Sequence, residues 1–544
     1  MEEGGCIKGS SVTGAASGSN RQAVAAAGAD EEFLADSIAR VHAAPQDVAN
    51  WHDLSAALLE VDSPERRQAV LESVRAMQAA DPLAAYLRAS FVYKLSGEPQ
   101  ELARAGAALM QGRYAGRDRL LLTLLNLAWA RALALGGNRT AFREILKTAG
   151  CPQALACLAA DLAACGKQIA PLAHARPLSR VAVLAPSLGG FEHAPTALAL
   201  NHAALLASMQ LQVHVFSTQD MTVPQLAACI VDAELPQYSK PDAASWKPPI
   251  AGRFDVTLPD SRLSPAARWR NALRQIARFD PDLVLFVGLM SPLLPQLYTA
   301  RPLLALPVNS VAPLGPHHVW LADRETEAAA DWAPEHAAGA VFRYPYRIAL
   351  PPERAALSRQ ALGLPEDALV LVSVGFRLNA EIQGAWAARM EAFLETHPRA
   401  HWLLIGSGPA LPPKLTNGSK RIRALAPRPD VRGVCRACDV YVNPPRVGGG
   451  FSVAEAMAEG LPVLALADSD GGAKTGEHAL ADADAYFEKL EELARDAAAR
   501  KALGMALARR FAANYDLNAA REPLARAMAL AQELYLRRSG NEGT

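Results

Sequence analysis

The 544-residue sequence predicts an α/β protein in which an all-α N-terminal domain precedes two doubly wound Rossmann-like domains that face a cleft. Three observations support this prediction. Apolar residues at helical spacing, without β-branched alternation, fill the first third of the chain. Short apolar runs then alternate with helical stretches, which is typical of parallel strands joined by helices. That alternation stops near residue 350 and starts again, which indicates a second domain of the same kind.

The N-terminal part divides into a tail and a helical domain. Residues 1–30 are rich in Gly, Ser and Ala and contain few large apolar side chains, so we expect a disordered tail. Residues 31–170 carry apolar positions at helical spacing, such as Leu71, Val74 and Met77, and we predict an all-α domain there. A helical repeat stays an alternative to a compact helical domain, although the sequence shows no clean repeat period.

Residues 178–350 form the first predicted α/β domain, and residues 351–515 form the second. Each contains apolar runs short enough to be strands that are buried on both faces. The predicted strands are 180–185, 211–216, 282–287 and 307–311 in the first domain and 368–374, 401–405, 439–442 and 461–465 in the second. A C-terminal helix and tail follow over 516–544. In paired sheets of this kind, ligands bind in the cleft beyond the carboxyl ends of the strands.

A glycine-rich turn follows the predicted strand that ends near Val442. Three consecutive glycines, at 448–450, stand just before a helix that we predict over Ser452–Glu459. Glycines let the backbone approach a ligand closely, and the N–H groups and positive dipole end of the helix suit a diphosphate. A second interpretation also fits, because Ser452 and Glu455 have the spacing of a capping box that needs no ligand.

The stretch 364–515 resembles the C-terminal lobe of GT-B glycosyltransferases. The resemblance rests on three motifs in order, followed by a trailing helix. The motifs are Val374–Arg377 at a strand end, Leu404–Pro409 after the next strand, and Gly448–Val463, and the helix ends in Arg509–Phe511. It implies a GT-B fold, in which the two α/β domains are lobes around the cleft. It also implies that the protein is a glycosyltransferase whose nucleotide-sugar donor binds to the C-terminal lobe.

The resemblance implies particular donor contacts. In the family, a glutamate at the place of Glu455 holds the ribose hydroxyls, and an arginine at the place of Arg377 neutralises the diphosphate. The glycine turn and the helix start lie against the diphosphate and the sugar. The remaining residues that we expect against the donor on this lobe are Gly406, Gly408, Gly448, Gly449, Gly450, Phe451 and Ser452.

Two positions depart from the family pattern. Retaining members carry an E-x7-E motif, whose first glutamate would fall at Val447, and many members have a Lys-Gly pair where this chain has Gln383–Gly384. Lys474 is a candidate for the missing basic contact with the donor, and an ordinary loop lysine is the alternative. The departures leave retention or inversion of the sugar open. They also motivate an alternative function, a non-catalytic scaffold or binding protein built on a degenerate GT-B lobe and a helical partner-binding domain.

The first α/β domain contains the candidate base. A loop with Gly189 and Gly190 follows the first predicted strand, and we expect it to approach the donor from the other side of the cleft. His193, in the same loop, has a side-chain pKa suited to accepting a proton near neutrality, so we interpret it as the catalytic base. Glu192 is the rival base. The alternative for His193 is an exposed loop histidine without a catalytic role.

The order of domains is similar to two groups of protein-modifying enzymes. These are the O-GlcNAc transferase type and the bacterial cytoplasmic adhesin N-glycosyltransferases, which have an all-α domain before the catalytic lobes. The strings Arg377–Asn379 and Lys474–Gly476 loosely resemble the latter group. This likeness implies a protein acceptor, while a glycan or lipid-linked acceptor stays open. The helical domain is then a candidate for binding a protein partner or for self-association.

Composition excludes several other classes of function. Basic and acidic residues are equal in number, so nothing in the charge balance favours nucleic acid as a partner. No apolar run reaches the ~20 residues of a transmembrane helix, and no secretory signal is visible, so we expect a cytoplasmic protein. Asp468 and Asp470 have Asp-x-Asp spacing but fit a polar loop better than a metal site. We therefore expect neither metal nor cofactor, and a UDP-linked sugar as the donor substrate.

Overall fold

The computed structural model describes residues 29–541, apart from gaps at 62, 113–115, 173–175, 222–240, 310, 323–338, 345–347, 351–356, 407–414 and 416–420. The predicted disordered tail lies outside the described residues except for Ala29 and Asp30, which begin a helix. The chain divides into two compact units. One comprises residues 1–112 and 226–232, and the other comprises residues 113–225 and 233–544.

The first unit is helical throughout its described residues. Its helices are α1 (Ala29–Ala43), α2 (Val48–Leu59), α3 (Pro64–Ala76), α4 (Pro82–Ser96) and α5 (Pro99–Met110). Asp47, Ser63 and Asp81 cap three of them by accepting hydrogen bonds from first-turn N–H groups. The buried rings of Trp51 and Phe91 pack with centroids 5.3 Å apart. The described chain has no strand before residue 180, which confirms the prediction of a helical N-terminal region.

The second unit begins with three more helices, α6 (Arg117–Leu135), α7 (Arg139–Thr148) and α8 (Cys151–Ala164). The middle of α6 is buried because α8 and the first α/β domain pack against it. Asn126 of α6 donates a hydrogen bond to the Asp220 carbonyl of that domain, at 2.9 Å. Just beyond α6, Arg139 pairs with Asp468 of the second α/β domain at 3.3 Å. The region of α6 and α7 therefore contacts both α/β domains.

The first sheet contains seven parallel strands among the described residues, in the order β3-β2-β1-β4-β5-β6-β7. They are β1 (Arg180–Ala185), β2 (Gln212–Ser217), β3 (Asp255–Thr257), β4 (Leu283–Val287), β5 (Leu303–Leu306), β6 (Val319–Ala322) and β7 (Ala340–Arg343). The predictions for β1, β2 and β4 are confirmed to within one residue. The strand predicted at 307–311 is wrong. The strand ends before Pro307, because proline has no N–H group to donate to the ladder.

The second sheet contains five parallel strands in the described chain, in the order β10-β9-β8-β11-β12. They are β8 (Leu369–Val374), β9 (Ala400–Ile405), β10 (Ile422–Leu425), β11 (Val440–Val442) and β12 (Val463–Leu464). Four of these strands were predicted, with ends that differ by at most two residues. Together the two parallel sheets and the helices before them confirm the predicted fold class.

Helices cover both sheets and connect their strands. They are α9 (Ala194–Ser208), α10 (Pro265–Phe279), α11 (Leu294–Ala300), α12 (Leu378–Glu381), α13 (Gly384–Thr396), α14 (Val431–Cys435), α15 (Gly450–Ala458), α16 (Asp470–Thr475), α17 (Ala483–Arg495), α18 (Ala497–Asn514) and α19 (Arg521–Asn541). The last helix returns to the first sheet, where Leu524, Ala527 and Met528 join the buried core. None of the helices in the described part of the chain is both long enough and apolar enough to cross a bilayer.

Candidate active site

The glycine-rich turn lies between β11 and α15. Gly448 and Gly449 have φ angles of 105° and 76°, a left-handed conformation that side chains with a Cβ atom disfavour. A Cβ atom built on Gly449 would overlap the guanidinium group of Arg446, which lies directly beneath the turn. The conformation and the close packing therefore both require glycine at this position.

The helix after the turn starts without a capping side chain. Gly449 is its N-cap residue, and α15 begins at Gly450, two residues earlier than predicted. The Ser452 hydroxyl donates to the Gly449 carbonyl at 3.0 Å and lies 2.9 Å from the Tyr441 hydroxyl, so it does not cap the helix. The capping-box interpretation is therefore wrong. N–H groups that no capping side chain satisfies are the groups that bind anions at a helix start.

A buried ion pair supports the turn from below. Arg446 Nη1 donates to Glu381 Oε2 at 2.8 Å, and Arg446 Nη2 donates to the Val374 carbonyl at 2.9 Å. The other carboxylate oxygen of Glu381 pairs with Arg377 at 2.8 Å. Burial favours the neutral form of Glu381, but the two guanidinium groups outweigh it and lower its pKa. Sequence reasoning missed Glu381 and Arg446, although Glu381 stands four residues after Arg377, at the spacing of a helical ion pair.

Two cationic side chains flank the turn. Arg377 Nη2 donates to the Val447 carbonyl at 3.1 Å and lies 2.8 Å from the position of a Cβ atom built on Gly448. Lys474 is fully buried, and its Cε lies 3.6 Å from the position of a Cβ atom built on Gly450. Both predicted basic side chains thus lie at the helix start, beside the positive end of the helix dipole.

Glu455 lies on α15, one turn beyond the glycines, and is partly buried. Burial raises its pKa to about 7, Arg432 opposes this shift, and Glu459 adds to it. Gly406, at the end of β9, has a φ of 97° and packs against the backbone of Gly375. The structure thus places Gly406 at the same edge of the second sheet as the turn, and Glu455 one helical turn along α15 from the glycines. Gly408 lies outside the described residues.

Phe451 packs against the hydrophobic cores of both α/β domains. Its side chain is partly buried, and it follows directly on the glycine turn. The residue therefore ties the start of α15 to the first α/β domain. This packing is a positional role that the sequence did not predict for Phe451.

The loop after β1 is held by hydrogen bonds within the first α/β domain. The Gly189 N–H donates to Thr196 Oγ1 at 2.7 Å, and the Gly189 carbonyl accepts from Trp246 at 2.9 Å. A Cβ atom built on Gly190 would overlap the Glu192 carboxylate. Neither glycine has a positive φ. These contacts give both glycines a packing role, and their contact with the donor stays a prediction.

His193 lies at the start of α9, with Nδ1 2.9 Å from Thr196 Oγ1. Burial lowers its pKa to about 4, and the charge of Arg377 contributes to this shift. The ring is therefore neutral at neutral pH, as a base must be. The charge of Arg377, from the second α/β domain, therefore acts on this ring. Glu192 is exposed.

Asp220 lies beside the same loop and was missed by sequence reasoning. Its N–H donates to the Pro186 carbonyl at 2.7 Å, and its carboxylate accepts from Trp269 Nε1 at 2.8 Å. Burial raises its pKa to about 6, although the bond from Trp269 and the charge of Arg268 oppose this shift. The preceding residue, Gln219, has a φ of 50°, which is unusual for a side chain with a Cβ atom and marks a constrained strand end.

Comparisons with known proteins identify the C-terminal lobe. Residues 369–496 match the family described as Glycosyl transferases group 1, and they include β8, the glycine turn and Lys474. Residues 369–496 form a group 1 glycosyltransferase domain. The protein is therefore a glycosyltransferase. No curated protein matches this chain at a significant level.

One solved structure, together with the family match, shows the GT-B fold. A mutant of the O-GlcNAc transferase from Thermobaculum terrenum superposes with a TM-score of 0.51 at 15% identity, over 94% of this chain and 99% of that one. HepE from Anabaena, solved with UDP and glucose, has a TM-score of 0.44 at 15% identity, over 64% and 99%. Sucrose-phosphate synthase from Thermosynechococcus elongatus has a TM-score of 0.43 at 15% identity, over 67% and 100%.

The two aspartates with Asp-x-Asp spacing, Asp468 and Asp470, lie just before α16 and in its first turn. Asp468 pairs with Arg139, and its backbone carbonyl accepts from the Arg139 N–H at 3.2 Å. Asp470 is buried in the first turn of α16. Within the described residues, no group of three or more His, Cys, Asp or Glu side chains is placed to hold a metal ion.

Proposed function

We propose that this protein transfers a sugar from a nucleoside diphosphate sugar, UDP-linked, to a protein or glycan acceptor in the cytoplasm, without a metal ion. The observation that carries the proposal is the helix start at Gly450, which has no side-chain cap and lies between Arg377 and Lys474. Backbone N–H groups, a helix dipole and two cations together match the charge of a diphosphate.

The donor would bind along the carboxyl edge of the second sheet. Its diphosphate would lie against the turn at 448–450 and Ser452, with Arg377 and Lys474 as counter-charges. Glu455, one helical turn further along, would accept hydrogen bonds from the ribose hydroxyls. Because two cations stand at the turn, the leaving nucleoside diphosphate can be stabilised without Mg²⁺. No cofactor other than the donor is required.

His193 would act as the base for an inverting transfer. Its Nδ1–H would donate to Thr196, which fixes the tautomer in which Nε2 accepts a proton. The acceptor O–H or N–H bond breaks as its proton moves to Nε2. A new bond forms to the anomeric carbon, and the bond from that carbon to the diphosphate oxygen breaks. In a retaining transfer, the donor phosphate itself would assist the acceptor instead.

The protein acceptor is supported by likeness alone. The Thermobaculum terrenum structure is that of an O-GlcNAc transferase, and it superposes over nearly the whole of this chain. We therefore include protein acceptors and a GlcNAc donor in the test. Glycan acceptors belong in the same test, because nothing in the donor lobe distinguishes the two classes.

The proposal is tested with a panel of UDP-, GDP- and dTDP-sugars. Thermal shift measures binding, and nucleotide release measures turnover, each with and without EDTA. We expect UDP-sugars to raise the melting temperature, and we expect turnover that EDTA does not reduce. Binding to the folded state at 100 times Kd stabilises by about 2.7 kcal/mol, which such an assay resolves. If no nucleotide sugar stabilises the protein, the proposal fails.

Two further outcomes of the panel correct the proposal. A thermal shift without turnover, even with cell extract as the source of acceptor, would favour the scaffold function. Loss of turnover in EDTA that Mg²⁺ restores would overturn metal independence. Arg377→Ala is the variant to compare with the unmodified protein in this panel. It removes a charge at the turn while the buried Arg446 stays in place.

A further inference from the structure

A small cavity of about 80 Å³ lies beside His193 and is walled by apolar side chains. On one side stand Leu122, Leu125 and Trp129 of α6, together with Leu155 of α8. On the other side stand residues 287–292, which follow β4, and the Pro186–Ser187 segment after β1. The cavity is therefore shared between the helical region and the carboxyl edge of the first sheet, the edge on which His193 lies.

Three polar side chains of this cavity, Asn126, Asp220 and Ser291, already have hydrogen-bond partners within the protein. The Asn126 amide donates to the Asp220 carbonyl at 2.9 Å, and the Asp220 carboxylate accepts from Trp269 at 2.8 Å. The Ser291 hydroxyl accepts from the Leu293 N–H at 3.4 Å. A polar ligand would therefore find few partners in the cavity, whereas an apolar group would be covered by Leu, Trp and Met side chains.

We propose that this cavity is an acceptor subsite that binds one branched aliphatic side chain of a peptide acceptor. The inference rests on the proposed transferase function and specifies its acceptor. The side chain would come from a residue next to the one that receives the sugar. With this side chain anchored between α6 and β4, the acceptor group lies beside His193.

The size and chemistry of the cavity favour this occupant over others. Sugar hydroxyls would lose hydrogen bonds against the apolar walls, which disfavours a glycan in this subsite. An apolar cavity of roughly 150 Å³ holds benzene, so one of about half that volume suits a smaller branched group. A lipid chain would need a longer groove than this cavity offers. A Val, Leu or Ile side chain satisfies both the volume and the lining.

The test uses the full chain and peptides of one length, each with a single Ser, Thr or Asn acceptor. The flanking residues are Gly, Leu, Val, Lys or Phe, and the donor is the sugar nucleotide that the panel identifies. We expect kcat/KM to be about tenfold or more higher with Leu or Val flanks than with Gly, because filling an apolar pocket brings a gain of this order. Equal rates for Gly and Leu peptides would overturn the proposal.

Other outcomes separate this inference from the proposed function. If donor is turned over with glycan or alcohol acceptors while no peptide is modified, the peptide subsite is wrong and the transferase stands. If no sugar nucleotide binds at all, the transferase function fails first. Preference for Lys or Phe flanks would also contradict an aliphatic subsite of this volume.

Two variants test the walls of the cavity. Met290→Phe fills the cavity from a half-buried position, so we expect about a tenfold fall in kcat/KM for Leu peptides with unchanged nucleotide affinity. Leu125→Ala enlarges it and should shift the preference toward Phe flanks. Met505→Phe, an exposed position far along the chain on α18, is the matched control. If Met290→Phe changes nothing, or weakens nucleotide binding equally, the subsite is not where we place it.

Discussion

Glu381 and Arg446 form a buried ion pair, with 2.8 Å between Oε2 and Nη1, beneath the glycine-rich turn. Both side chains are almost fully buried, and Glu381 also holds Arg377 at the surface of the site. Removing one partner of a buried pair leaves the other charge without compensation. The pair therefore couples the stability of the lobe to the position of the cation that we expect at the diphosphate.

Glu381→Ala should lower the free energy of unfolding by about 3–5 kcal/mol, measured by urea denaturation. The loss should shrink in acid. The pKa of Glu381 is lowered in the folded state, so its contribution is present above the ordinary value of 4.5 and disappears as pH falls through the folded value. Arg377→Ala, which removes the more exposed partner, should cost about 1 kcal/mol or less. Equal losses in the two variants would contradict this assignment.

Gly449→Ala should disrupt the turn far more than Gly460→Ala, although both glycines have similar φ angles, 76° and 72°. At Gly460 nothing lies within 4 Å of an added Cβ atom. There we expect Ala to cost only the backbone strain of the left-handed conformation, about 1–2 kcal/mol. At Gly449 the added Cβ atom would also displace the buried Arg446. Urea denaturation and UDP-sugar binding measure the two effects. If the variants are equally stable and bind equally, Arg446 does not constrain the turn.

Glu455→Gln should weaken UDP-sugar binding and, above pH 7, stabilise the protein without ligand. The pKa of Glu455 is raised to about 7 by burial, so folding favours its protonated form. This preference contributes stability below the ordinary value of 4.5, and the contribution is lost as pH rises through about 7. The glutamine side chain of the variant is neutral at every pH, so the variant does not lose this stability as the pH rises. The check is the melting temperature at pH 5 and pH 8, with UDP affinity by calorimetry. A lower melting temperature at pH 8 with unchanged affinity would make Glu455 a structural residue.

Long buried strands and the glycine turn could be predicted because their signals are local. Every residue of β1 after Arg180 is buried, and the resulting apolar run is visible in the sequence. The edge strand β3 was missed, since its three residues are at most partly buried and form no such run. The Glu381–Arg446 pair was missed for another reason. Its partners stand 65 residues apart, and only the sheet brings them together.

The role of α6 illustrates the same limit. Its apolar sequence predicts a buried helix but does not say which surfaces bury it. The structure places Asn126 against Asp220 and, beyond the helix, Arg139 against Asp468. Neither partner is recognisable from spacing, because each contact joins segments that are distant in the chain. Asp468 is an example. Its Asp-x-Asp spacing is that of a metal-binding pair, whereas in the structure its carboxylate pairs with Arg139.

The pH dependence of transfer should identify His193. Its pKa is lowered to about 4, first by burial and then by Arg377, so the ring is neutral and able to accept a proton above about pH 5. Saturating donor keeps the titration of Glu455 out of the measured profile. Under this condition kcat/KM for the acceptor should stay constant as the pH is lowered, and it should fall only near pH 4, where His193 becomes protonated. Arg377→Ala removes one cause of the lowered pKa of His193, so this acid limb of the pH profile should move to higher pH.

The controls for this profile are His193→Asn and Glu192→Gln. His193→Asn should lower transfer by about 100-fold or more, the usual contribution of a positioned base, while UDP affinity is kept. Glu192→Gln should leave both the rate and the acid limb unchanged, because its carboxylate is exposed. A carbon-13 NMR titration of the His193 ring gives its pKa directly. If the ring titrates near 6.5, or if Glu192→Gln abolishes the limb, then His193 is not the base and Glu192 takes its place.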